Sequence, residues 1–152
     1  MVLDLFQIKK RLADYCVYQD RSHYEVEQKL KELRTLNEDE RGEILIWLIQ
    51  NNFLNEERFS KSYARGKFYQ KKWGKIKIMQ GLKQKRIPTN LIDKGIEEIN
   101  EEDYKSTLME LTEKKWNILR ESEVYLKKKK IYNYLLQKGY EYNLINEILK
   151  NY

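Results

Sequence analysis

The chain has 152 residues, enough for a real core, and with 41% apolar residues it is too apolar to be disordered. One proline and six glycines leave little turn chemistry for a β fold, while Leu, Ile, Lys, Glu and Gln abound, so an all-α fold is expected. A net charge of +6 and a pI near 9.2 favour acidic partners and say nothing about fold.

Residues 3–18 carry Leu5, Ile8, Leu12 and Tyr15/Cys16 three to four apart, one face of a helix. Ser22 and Glu25 have capping-box spacing and start a second helix with Val26 and Leu30 inward. Asn37 can cap a third, carrying Ile44, Trp47 and Leu48. Asn55 caps the fourth, with Glu56 and Glu57 at its positive end. That helix runs through Phe59, Tyr63 and Gly66 toward Trp73, until Gly74 breaks it. Ile78, Leu82 and Ile87 mark a fifth helix. Pro88, Leu91, Ile92, Ile96 and Ile99 mark a sixth, with proline in its tolerated first turn. Asn100 opens a longer helix through Tyr104, Leu108 and Leu111. Ile131 and Leu135 define an eighth, stopped at Gly139, and Leu144, Ile145, Ile148 and Leu149 a ninth.

These helices repeat. NEERF at 55–59 resembles NEEDY at 100–104, and KKW recurs at 71–73 and 114–116. LKQKRIPTNLIDKGIEEI from Leu82 resembles LLQKGYEYNLINEILKNY from Leu135. The offsets of 45, 43 and 53 place an insertion near 117–125. The expectation is a single repeat-built domain of three tandem three-helix units, roughly 1–53, 54–99 and 100–152, elongated and curved.

The stretches RSHYEVEQKL (21–30), FLNEERFSKSYAR (53–65), GKIKIMQGLKQKRI (74–87) and YNYLLQKGYEYNLINEIL (132–149) resemble, in order, the successive motifs of the RecX family. Arg21–Ser22 matches that family's start of the second helix. Leu54, Arg58 and Phe59 match its entry to the fourth, and Gly74, Leu82 and Ile87 its fifth. Asn55–Glu56 replaces a pair of aspartates, and Arg86 stands where a helix-ending glycine is usual, a glycine that Gly139 keeps. The resemblance implies three three-helix repeats and a non-enzymatic regulator that binds the RecA recombinase filament. It further implies inhibition of RecA's ATPase and strand exchange, hence modulation of recombination, DNA repair and the SOS response, and, in some members, contact with DNA.

Charge is unevenly placed. Arg58, Lys61, Arg65, Lys67, Lys71, Lys72, Lys75, Lys77, Lys83, Lys85 and Arg86 fall in a span, 58–92, without Asp or Glu. Those eleven cations leave the rest of a +6 chain at −5. At 100° per residue, Phe59, Tyr63, Gly66 and Trp73 share a core-facing side, and Arg58, Lys61, Arg65 and Lys72 form a separate cationic stripe. Like charges at three- and four-residue spacing destabilise an isolated helix, so the segment reads as a binding face. One target is a filament groove with complementary charge. The other is single-stranded DNA, bound without sequence preference as a stand-alone function. A membrane surface fits poorly, because the apolar strip is needed for the core. The run Lys127–Lys130 reads as a solvated helix surface.

Catalytic chemistry is not legible. One histidine, His23, and one cysteine, Cys16, cannot build zinc-site spacings or a Ser/His/Asp set with a surrounding motif. Glycine-rich phosphate loops are absent, and acid pairs sit at helix ends as dipole complements. No cofactor, metal or small-molecule substrate is expected. Cys16 is expected as a small buried residue and His23 as a surface one. A start broken by acid and base, with no membrane-spanning run, is read as that of a cytoplasmic monomer.

Overall fold

A computed structural model describes residues 3–152 as nine α-helices and one π-helical turn, with no strand among the described residues. The helices are α1 (Leu5–Tyr18), α2 (His23–Lys31), α3 (Glu38–Gln50), α4 (Glu56–Arg65), α5 (Lys75–Gln84), α6 (Thr89–Ile96), α7 (Glu101–Ile118), α8 (Val124–Gln137) and α9 (Tyr142–Leu149). The π-helical turn, Gly66–Gln70, continues α4.

Local chemistry explains the starts. The Ser22 hydroxyl accepts from the Glu25 amide, and the Glu25 carboxylate accepts from the Ser22 amide, both at 3.1 Å. Asn37 with Glu40 does the same for α3, and Asp4 with Gln7, which the periodicity did not flag, for α1. Asn55 and Asn100 each accept an amide three residues on. Pro88 stands one residue before α6, and Ile87 one turn past the end of α5.

The buried side chains form two clusters. Ile8, Leu12, Cys16, Val26, Leu30, Ile44, Leu48 and Leu54 fill the centre of α1–α3. Phe59, Phe68, Ile78, Leu82, Ile92, Tyr104, Leu108, Ile131, Leu135, Tyr140 and Ile145 run continuously through α4–α9. The first three helices therefore own their core, while the second and third three-helix units share one.

Within α4 the core line differs from the one expected. Phe59, Ser60, Ala64 and Phe68 are buried, whereas Tyr63, Gly66 and Trp73 are half-buried. Ser60 is buried because α6 comes close at Gly95, where a Cβ would lie 2.3 Å from the Ser60 Oγ. That hydroxyl donates to the Leu91 carbonyl at 2.7 Å. Phe68 turns inward because the π-helical turn adds a residue to the register, which a constant 100° step ignores.

Arg86 and Gly139 end α5 and α8 in the same left-handed geometry, with φ of 60° and 98°. In each, the following amide reaches back to the carbonyl five residues earlier, Ile87 to Leu82 and Tyr140 to Leu135, both at 3.1 Å. Arg86 therefore keeps the turn geometry that glycine favours and bears its backbone strain.

Candidate anion-binding interface

The eleven cations of the acid-free span divide by what faces them. Arg58 donates from Nε to Asp20 at 2.8 Å and from Nη2 to both the Asn52 and Phe53 carbonyls at 3.2 Å. Lys61 pairs with Glu57 at 3.3 Å and Arg65 with Glu98 at 2.5 Å. Lys75 pairs with Glu101, and Lys85 with Glu25 at 3.6 Å. Three of the four cations on the expected stripe thus meet acids supplied by the chain itself. Two of these acids lie outside the acid-free span on other helices or loops, and Glu57 lies just before it. Arg86 instead lies over the Tyr24 ring, 4.6 Å from its centre.

A second group gathers around Trp73. Lys67 lies 4.7 Å and Lys77 4.3 Å from the centre of the indole. Lys71 and Lys72 are exposed on the turn between the π-helical turn and α5. Lys138, from the end of α8, reaches the Lys71 carbonyl with its ammonium at 3.4 Å. None of these five lysines has a carboxylate within ion-pairing distance among the described residues. Lys83, exposed on α5, also lacks one. Burial, followed by Lys71, Lys85 and Lys77, holds Lys67 below the usual lysine range. Burial, followed by Lys77 and Lys72, does the same for Lys138.

Lys138 joins this group because two backbones touch. The Gly74 amide donates to the Lys138 carbonyl at 2.7 Å, and the Ile76 amide to the Gly139 carbonyl at 2.9 Å. These bonds satisfy donors at the start of α5 that its own helix leaves open. A Cβ on Gly74 would lie 2.2 Å from the Gly139 carbonyl carbon. The Tyr140 hydroxyl donates to the Lys72 carbonyl at 2.8 Å, pinning a residue at φ 59°. The buried Tyr104 hydroxyl accepts from the Lys75 amide at 2.9 Å and donates to Glu141. Its ring lies between Phe68 and Tyr140, with centroids 5.6 and 5.2 Å away. Tyr104 and Tyr140 both titrate far above the usual phenol range, chiefly because they are buried.

The sequence reading included Lys67, Lys71, Lys72 and Lys77 but missed Lys138, which only its place beside Gly139 could have signalled. Trp73, expected in the core, is half-buried beneath two ammonium groups. His23 is half-buried as well, with its amide donating to Glu56 at 3.2 Å. Cys16 is buried, and burial raises its thiol pKa. Lys127–Lys130 lie in the first turns of α8, where Lys130 pairs with Glu121 and Lys127 covers Trp116. No helix among the described residues is long and apolar enough to cross a membrane. The Trp73 group is a fixed set of cations without counter-charge, suited to hold an anionic surface.

Two family models match the chain: RecX, second three-helix domain, over residues 55–96, and RecX, third three-helix domain, over residues 101–149. The Regulatory protein RecX of Clostridium perfringens (strain SM101) is 30% identical over 132 residues, 84% of this chain and 61% of that protein. The chain thus spans about three-fifths of that relative's length. The Regulatory protein RecX of Chlorobaculum tepidum is 30% identical over 126 residues, 83% of this chain and 76% of that protein. Among solved structures, a crystal structure of RecX from Lactobacillus salivarius superposes with a TM-score of 0.86 at 27% identity, covering 97% of this chain and 95% of that one.

Proposed function

This chain belongs to the RecX family, and on that footing we propose that it binds the RecA recombinase filament as a monomer and inhibits its ATPase and strand-exchange activity, acting as a regulator and not as an enzyme. One observation carries the reading: lysines from two three-helix units meet around Trp73 without counter-charge. A nucleoprotein filament offers both acidic side chains and phosphates to such a surface. Arg58, Lys61, Arg65, Lys75 and Lys85 are engaged by the chain's own acids and take a secondary part.

Binding of bare single-stranded DNA is the competing reading. It is less favoured because Lys67 and Lys77 already occupy the neighbourhood of the Trp73 ring, leaving it poorly placed to stack on a base. The test is co-sedimentation with RecA filaments, with RecA's ATPase followed in parallel. The chain is expected to sediment with the filament and to slow hydrolysis. Charge reversal at Lys77 and Lys138 together should weaken both effects about tenfold, a change of some 1.4 kcal/mol. Failure to bind or inhibit at micromolar protein would refute the proposal. Tight binding to DNA alone, with no added effect of RecA, would favour the competing reading.

A further inference from the structure

The two joints between the three-helix units differ in kind. Between the second and third units the apolar core is continuous, and main-chain hydrogen bonds cross at Gly74 and Gly139. Between the first and second units the buried apolar residues separate into two clusters. The contacts that cross there are charged. Asp20 takes Arg58 at 2.8 Å, and Glu25 takes Lys85 at 3.6 Å. Glu56 accepts from the His23 amide at 3.2 Å and lies 3.4 Å from its imidazole Nδ1. Arg86 lies over Tyr24. A groove of about 410 Å³ opens along the same joint, with Asp20 and Glu25 on one wall and Lys67, Lys71 and Lys85 on the other.

We infer that the first unit, α1–α3, is a latched module, held against a rigid α4–α9 body by this belt of charged contacts and released when they are screened or displaced. Apolar contact is insensitive to moderate salt, whereas partly exposed ion pairs lose strength as the screening length shortens. The two joints must therefore respond differently to ionic strength. The first unit keeps its own core and stays folded when the latch opens. While closed, Asp20 and Glu25 neutralise Arg58 and Lys85; opening returns both cations to the basic face. A polyanion that competes for Lys85 thereby favours the open form. The latch is independent of which partner the protein regulates.

The test places spin labels at Ile46→Cys in α3 and Met109→Cys in α7, both exposed positions, in a Cys16→Ala background. Distances are measured at about 20 mM and about 500 mM salt, on either side of the physiological screening range. A narrow distribution at low salt that broadens at high salt is expected. In Asp20→Asn/Glu25→Gln it should be broad at both, with circular dichroism unchanged, since glutamine preserves the Ser22 capping box. Small-angle scattering from the unlabelled chain gives an independent readout, a radius of gyration that grows with salt. Distributions equally narrow in every condition, or a double variant indistinguishable from the parent, would overturn the inference.

Discussion

Replacing Gly74 with alanine places a methyl group where another backbone already lies. Its Cβ would stand 2.2 Å from the Gly139 carbonyl carbon, 2.3 Å from the oxygen and 2.4 Å from the Tyr140 nitrogen. All three are main-chain atoms, so no flexible side chain can swing away. The two units must separate, which stretches the Gly74–Lys138 and Ile76–Gly139 hydrogen bonds. Overpacking a tight contact costs about 1–3 kcal/mol, and each of two main-chain bonds about 1 kcal/mol. The sum, about 3–5 kcal/mol, is a large share of a typical total of 5–15 kcal/mol. At about 2–4 °C per kcal/mol for a chain of this size, Tm should fall by roughly 10 °C in calorimetry. Gly42→Ala is the control. Gly42 sits inside α3 with nothing within 4 Å of its Cβ position, so alanine should stabilise by about 0.5–1 kcal/mol. If Gly74→Ala melts within a degree of the parent, the close backbone joint that delivers Lys138 is not as described.

Arg86→Gly should stabilise the protein by about 0.5–1 kcal/mol in urea unfolding, because glycine relieves a left-handed strain of about 1–2 kcal/mol while the loss of the Tyr24 contact costs less than about 1 kcal/mol. Phe68→Ala should cost about 3–5 kcal/mol, since its ring is 1% exposed in the shared core; the same unfolding assay reads it. Binding of an anionic partner should weaken as pH rises before the ordinary lysine value of 10.5 is reached, because burial and neighbouring lysines lower the pKa of Lys67 and Lys138. The same depression means that folding disfavours those two protons, so their cost to stability disappears as pH climbs through their folded pKa values toward the unfolded one. A pH titration of binding checks the first effect, and thermal melts across the same range check the second.

Much of the fold was legible because its punctuation is local. Ser22, Asn37, Asn55 and Asn100 act on amides three residues away, and Gly139 supplies a backbone angle within its own turn. The repeat was legible because α6 and α9 bury the same pattern, Ile92 for Ile145. Where contacts are non-local, the reading slipped. Ser60 carries no apolar signal; it is buried because Gly95 lets α6 approach. Phe68 escaped because the π-helical turn shifts the helical phase within five residues, and no residue in GKFYQ announces it.

The site was legible only as a composition. An acid-free span identifies where cations are, but whether a cation is free depends on acids distant in sequence. Asp20 lies 38 residues from Arg58, and Glu98 lies 33 from Arg65. Helical phase cannot report such pairings, and three of the four cations in the stripe it selected are held by the chain's own acids. The lysines left over share a different property: they surround the turn where α8 meets α5. Lys72 there holds a strained left-handed angle that Tyr140 fixes from the third unit. Strain kept in place by a neighbouring unit, together with unneutralised charge at Lys67 and Lys138 whose pKa values are lowered by burial and then by neighbouring lysines, costs the fold stability. The anionic partner proposed above would offset that cost by supplying the missing negative charge.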